Sequence, residues 1–153
     1  MAGKDDFTEQ EWETMQRGVT GSGMLVSVAD RGFFDTFKEV GALSKYLKQA
    51  REKNSSELVK QLAEVRGTGF GLTDSPDEVE SKTVEALGSS MATLKAKAPD
   101  EAEAYSKFVV DVASAVGDAA DEIGAKETGA IDKIKTALQT TQTTPATPTT
   151  PST

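Results

Sequence analysis

The sequence predicts an all-α protein, a single compact bundle of about six helices. Three observations support this fold class. Apolar residues recur every three or four positions through most of residues 7 to 138, no stretch alternates with the period of a strand, and helix-capping residues separate the segments. The 153 residues are enough for one domain with a single core.

The first predicted helix runs from about Thr8 to Ala29. Thr8 and Glu11 have the spacing of a capping box, and Phe7 is placed to pack back onto the first turns. The apolar stripe that follows consists of Trp12, Met15, Val19, Ser22, Val26 and Ala29. This helix contains three glycines, which raise the question of a nucleotide site.

Gly18 and Gly23 are five residues apart, as the glycines of a phosphate-binding loop are. Such a loop also needs Lys and Ser or Thr after the second glycine, where this chain has Met24 and Leu25, and a strand before it. The helical period continues through the glycines, so we predict that they let a neighbouring helix come close. The alternative is a break in the helix at residues 21 to 23.

The next two helices are predicted between an acidic turn and a glycine-rich loop. Asn54 and Glu57 have the spacing of a capping box for the third helix, which is expected to end at Gly67. In the loop that follows, Phe70 and Leu72 are expected to pack against the bundle. The apolar face of the second helix consists of Phe34, Phe37, Val40, Leu43, Leu47 and Ala50.

The last three helices have clear start signals. Ser75, Pro76 and Glu78 open the fourth, Pro99 opens the fifth, and the sixth spans about Thr128 to Leu138. Their expected core residues are Val79, Thr83, Leu87, Met91, Leu94, Tyr105, Phe108, Val109, Val112, Val116, Ala119, Ala120, Ile123, Ile131, Ile134 and Leu138. Two ion pairs are predicted on the outer faces, Glu78 with Lys82 and Glu103 with Lys107.

Three segments are predicted along the chain: a disordered N-terminus at residues 1–6, the helical bundle at residues 7–138, and a disordered Thr/Pro-rich tail at residues 139–153. The tail has no charged and no large apolar side chain. It is either a plain extension, a tether, or a glycan acceptor if the protein is exported; the first two are favoured.

Composition excludes several classes of chemistry. The chain has no cysteine and no histidine, which removes disulfides, thiolate metal sites and imidazole-based catalysis. Its net charge of −8 opposes nucleic acid and anionic membranes, so a protein partner is expected. The N-terminal residues do not read as a secretory signal, and we expect a cytoplasmic location.

A shift of 91 residues aligns Ala29–Leu47 with Ala120–Leu138. Both segments begin with Ala-Asp and read as a helix end, an acidic turn and a new helix. Either the bundle is built from two related helix-turn-helix halves, or the two segments share this pattern by chance.

Four stretches resemble a family of bacterial all-helical proteins of unassigned function and, more distantly, the TerB domain associated with tellurite resistance. They are "FTEQEW", "VAD" at Val28 to Asp30, Lys97 to Ala120, and "ETGAIDKIKTAL". The resemblance implies a compact bundle with paired acidic turns and a stress-associated, metal-linked role. Asp30, Gly32, Asp35 and Glu39 match the first turn, whereas the second, with Asp121, Glu122 and Glu127, lacks a glycine directly after the aspartate.

Asp30, Asp35, Asp121 and Glu122 are the candidate ligands for Ca²⁺ or Mg²⁺, if the two acidic turns face each other. The simpler interpretation is that these residues cap helices, so no metal and no cofactor is assigned. The expected function is a non-enzymatic binding or stress-associated module; the alternatives are an ion-binding domain and a carboxylate-based enzyme.

Aromatic side chains are expected in the core and not on a stacking platform. Phe33 and Phe34 are the exception, because adjacent residues on a turn cannot both point inward, and if exposed they would mark a partner surface. The others are Trp12, Phe37, Phe70, Tyr105 and Phe108.

Overall fold

The computed structural model describes residues 2–29, 37–64, 75–119 and 125–140. These residues form a short 3₁₀ helix and six α-helices, with no strand among them, which confirms the all-α prediction. The 3₁₀ helix is Lys4–Asp6, and the α-helices are α1 (Glu9–Ala29), α2 (Phe37–Lys53), α3 (Glu57–Leu62), α4 (Pro76–Lys97), α5 (Pro99–Ala119) and α6 (Ala125–Thr140).

Helix α1 lies at the centre of the bundle between α4 and α5, and its contact with α4 is the most extensive in the fold. Gly18 of α1 faces both Leu87 of α4 and Tyr105 of α5. Helices α1 and α4 are antiparallel, while α1 and α5 run in the same direction. Helix α6 packs on α4, α1 and α5, whereas α2 packs on α5, and α3 on α2 and α5.

Where their side chains are described, the predicted apolar stripes form one continuous core, with Leu43 and Leu47 of α2 partly buried against it. The side chains of the other predicted core residues lie outside the described part of the structure: Ala29, Phe34, Phe37, Val40, Ala119, Ala120 and Ile123. Trp12, at 4% exposure, and the predicted residues of α4 are buried, whereas Ile131 of α6 is only partly buried. The largest fully buried side chains are Met15, Val19, Val26, Leu58, Val59, Leu62, Leu87, Met91, Leu94, Tyr105, Phe108 and Ile134.

The caps predicted for α1 and α4 are present. Thr8 N donates to Glu11 Oε2 at 2.8 Å and Glu11 N donates to Thr8 Oγ1 at 3.2 Å. Phe7 packs on Trp12 with ring centroids 6.2 Å apart, which is the expected staple across the first turn. Ser75 and Glu78 form the same reciprocal pair at the start of α4, so these two helix starts are determined locally.

The cap of α3 differs from the prediction. Ser56, and not Asn54, is the N-cap, because its Oγ accepts from Val59 N at 3.2 Å. The same hydroxyl donates to Glu101 Oε2 of α5 at 2.6 Å. Asn54 instead accepts from the Ser56 amide at 2.9 Å, forming a turn before the helix. The helix ends at Leu62, and the predicted end at residue 67 lies outside the described residues.

Residues 1–6, expected to be disordered, instead include the 3₁₀ helix Lys4–Asp6. Asp6 Oδ2 accepts from Gly3 N at 2.8 Å, and Lys4 N donates to Gln61 Oε1 of α3 at 2.8 Å. The buried Phe7 anchors this segment directly after the turn. At the other end α6 continues to Thr140, so the helical bundle extends two residues beyond the predicted boundary at 138.

The proposed repeat relates α1–α2 to α5–α6. Val26 and Gly117, which the 91-residue shift pairs, are in contact, since a Cβ on Gly117 would lie 3.5 Å from Val26 Cγ1. Helix α2 packs on α5 and α6 packs on α1, as two related halves would. Both acidic turns lie outside the described residues, and the repeat stays a prediction.

Candidate functional site

Neighbouring helices pack closely against α1 at Gly18 and Gly23. Helix α1 is continuous from Glu9 to Ala29, so the alternative of a break at residues 21 to 23 is wrong. A Cβ on Gly18 would lie 3.0 Å from Leu87 Cδ2 and closer still to Tyr105 Oη, whereas one on Gly23 would touch Val112 and Val116. The prediction that these glycines admit neighbouring helices is confirmed.

Tyr105 holds α5 against α1 at this point. Its side chain is fully buried, and its hydroxyl donates to Met15 O at 3.0 Å. Burial raises the pKa of the phenol, and a hydrogen bond with Ser90 opposes the rise only in part. Tyr105 is therefore a neutral structural donor and does not act as an acid or base at ordinary pH.

Three small polar side chains of α1 and α4 are fully buried: Ser22, Thr83 and Ser90. Ser22 Oγ donates to Gly18 O at 2.7 Å and Ser90 Oγ donates to Ala86 O at 2.6 Å, so each hydroxyl donates its proton within its own helix. Thr83 Oγ1 is buried and has no hydrogen-bond partner among the described residues. The cost of burying the Thr83 hydroxyl is therefore not offset by a hydrogen bond there.

An open groove of about 380 Å³ lies between α5 and α6. Its floor contains Val110, which is partly buried, and Leu138, which is 3% exposed. The remaining lining residues are polar or charged and include both signs: Glu103, Ser106, Lys107, Asp111, Lys135 and Gln139. An apolar floor inside a charged rim is the usual arrangement of a protein-binding surface.

The rim of this groove is connected to α2. Lys107 Nζ lies 2.5 Å from Asp111 Oδ2, and the Tyr46 hydroxyl of α2 donates to the same oxygen at 3.2 Å. Tyr46 also stacks on Phe108, with ring centroids 6.1 Å apart and an interplanar angle of 23°. Burial raises the pKa of Tyr46, and the negative charge of Asp111 raises it further. These contacts fix α2 on α5 next to the groove.

A second depression, of about 460 Å³, lies on α4 beside the exposed Val84. Its described lining residues all come from this one helix and are mainly acidic: Asp77, Glu80, Ser81, Val84 and Glu85. The groove between α5 and α6 has two helices as walls and is the better defined candidate.

The predicted cation ligands Asp30, Asp35, Asp121 and Glu122 lie outside the described residues, and the ion-binding alternative stays a prediction. Phe33, Phe34, Phe70 and Leu72 also lie outside them. Within the described ranges, no group of three or more carboxylates is placed to share a metal ion.

The groove and the contact between Tyr46 and Asp111 were not predicted from the sequence. The predicted pair of Lys107 was Glu103, whereas Lys107 pairs with Asp111, one turn further along α5. Both acids are four residues from Lys107, and only the fold places Tyr46 beside one of them. The one sequence feature that could have indicated the groove is Val110, an apolar residue on the otherwise charged outer face of α5.

No family model, curated protein or solved structure matches this chain. In the part of the chain that the structure describes, no helix is both long and apolar enough to cross a lipid bilayer.

Proposed function

We propose that this chain is a non-enzymatic protein-binding module and that the groove between α5 and α6 receives a helical segment of its partner. The observation that carries the proposal is the apolar floor of Val110 and Leu138 inside a rim of both charges. An amphipathic helix places one apolar side chain in such a groove and its charged neighbours over the rim.

The two lysines on the rim favour a partner segment that carries acidic residues. Lys107 is 76% exposed at its side chain although it is paired with Asp111, so it remains accessible to a partner carboxylate. Lys135 lies across the groove and is exposed as well. A segment with acidic residues on both flanks of an apolar anchor would complement these two cations.

The ionisable groups with shifted pKa values support a structural role over a catalytic one. Among the described residues these are Glu11, Tyr46 and Tyr105, and each bonds a partner that holds two helices together. The groove is open, so it suits a partner's side chain better than a substrate that must be shielded from water. The stress-associated role implied by the resemblance to TerB domains is part of this proposal and stays a prediction.

Position-specific photo-crosslinking in the native cell tests the groove. A benzophenone amino acid is placed at Lys107 or Gln139 on the rim, and at Val84 on α4 as an exposed control. We expect one and the same protein to be linked from both rim positions and not from Val84, and the adducts to disappear when Lys135→Glu is added. Equal adducts from Val84, or none from the rim, would overturn the proposal.

A further inference from the structure

Helix α2 is the cationic element of an acidic protein. Between residues 41 and 53 it carries four cationic residues, Lys45, Lys48, Arg51 and Lys53, and one acidic residue, Glu52, whereas the whole chain has a net charge of −8. All five side chains are exposed. We call Lys45, Lys48 and Arg51 the basic face of α2.

The basic face has no structural partner in the described part of the chain. Several lysines elsewhere in the described chain form intramolecular ion pairs. Examples are Lys97 with Glu11 at 2.6 Å and Lys133 with Glu80 at 2.9 Å. Lys45, Lys48 and Arg51 form no such pair there. Their charges are therefore available to a binding partner.

The helix dipole accounts for only part of this charge. A cation is stabilised in the last turn of a helix, which in α2 contains Arg51 and Lys53. Lys45 and Lys48 lie one to two turns earlier, beyond the range of that effect. The helix dipole therefore does not account for Lys45 and Lys48.

The face is rigid and short. The opposite side of α2 is fixed on α5 by Tyr46, through its stacking on Phe108 and its hydrogen bond to Asp111, and Ala50 is buried at 6% exposure. Residues three apart lie on one side of a helix, and at 1.5 Å per residue the basic face extends over only about 9 Å along the axis.

The size of the face and its surroundings select the class of partner. Nucleic acid carries phosphates well beyond 9 Å, and those beyond the basic face would be repelled by a chain whose net charge is −8. A short acidic peptide keeps its carboxylates within the basic face. We propose that Lys45, Lys48 and Arg51 bind an acidic segment of a partner protein.

This inference rests on the proposed protein-binding function, but it concerns a separate surface. The probe is a fluorescent peptide with glutamate at every third position, and binding is followed by anisotropy at low and at moderate salt. Its matched peptide has glutamine in place of glutamate. An oligothymidylate and vesicles containing an anionic phospholipid test the other polyanions.

We expect the glutamate peptide to bind more tightly than the glutamine peptide, and salt to weaken it. The double variant Lys45→Gln/Lys48→Gln should weaken binding about tenfold. The control Lys60→Gln/Lys133→Gln removes the same charge from lysines that are already paired, and it should leave binding nearly unchanged.

If both double variants weakened binding equally, binding would depend on the net charge of the protein and not on the basic face, and the inference would be overturned. Tighter binding of the oligothymidylate or the vesicles than of the glutamate peptide would also overturn it, as would no binding of the peptide. Crosslinks from the α5–α6 groove would then still support a protein-binding module, so the two proposals can fail separately.

Discussion

Replacing Gly18 with alanine places a methyl group against Tyr105 Oη and 3.0 Å from Leu87 Cδ2. Leu87 can shift its terminal methyl group, but Tyr105 is fully buried and its hydroxyl is bonded to Met15 O. The phenol must therefore move and lose that hydrogen bond. Gly18→Ala is thus a direct test of the packing of α1 between α4 and α5.

Three contributions determine the size of the effect. Overpacking of a core costs about 1–3 kcal/mol, and a buried hydroxyl without its acceptor costs about 1–3 kcal/mol. The higher helix propensity of alanine stabilises the folded state by about 0.5–1 kcal/mol and offsets part of these costs. We expect Gly18→Ala to lower the free energy of unfolding by about 1–5 kcal/mol, measured by urea denaturation with circular dichroism.

Two further variants make the result specific. A Cβ added to Gly41 in α2 would have no heavy atom within 4 Å, so Gly41→Ala should raise stability by about 0.5–1 kcal/mol. Tyr105→Phe removes the atom that the methyl group meets, so Gly18→Ala should cost less in that background. If Gly18→Ala were neutral or stabilising in the wild-type background, the close approach would be refuted.

Three other substitutions test single contacts. Thr83→Val removes a buried hydroxyl that has no partner among the described residues and should raise the free energy of unfolding by about 1 kcal/mol; a lower melting temperature would contradict this. Ser56→Ala removes the cap of α3 and its hydrogen bond to α5 and should cost about 1–2 kcal/mol, with the exposed Ser55→Ala as a neutral control. The Lys97 ammonium donates a hydrogen bond to Glu11 and lowers the pKa of that carboxyl. This ion pair therefore stabilises the fold above the unfolded-state pKa of Glu11, and the stabilisation is lost as pH falls through the lower folded-state pKa. NMR titration should show a higher Glu11 pKa in Lys97→Met, and an unchanged value would argue against this ion pair.

The parts of the fold that were predicted correctly depend on residues close in sequence. The capping boxes at Thr8 and Ser75 each join residues three apart, and the core stripes follow from the helical period alone. The continuity of α1 through Gly18 followed from the same period. Such features need no knowledge of which helices are neighbours.

The features that were missed depend on contacts between distant segments. Asn54 and Ser56 are both suitable caps, and the bond from Ser56 to Glu101 of α5 distinguishes them only in the folded chain. Likewise, Lys107 has an acid four residues away on each side, and Tyr46 of α2 hydrogen-bonds Asp111. The groove brings residues 103–111 of α5 beside residues 135–139 of α6, a separation well beyond the range of any local pattern.

The packing of the central helices also bears on where function can reside. Separating α1 from α5 would break the Tyr105–Met15 hydrogen bond and expose Tyr105 and Val112, which are fully buried against α1. At about 25 cal/mol per Å² of apolar surface, an opening of this kind would cost several kcal/mol before any ligand bound. A partner gains most by binding surfaces that already exist, because it then has no such cost to offset. The α5–α6 groove and the basic face of α2 are surfaces of this kind, one beside Tyr46 and the other on the same helix, and both are held in place by the core that Gly18 allows to form.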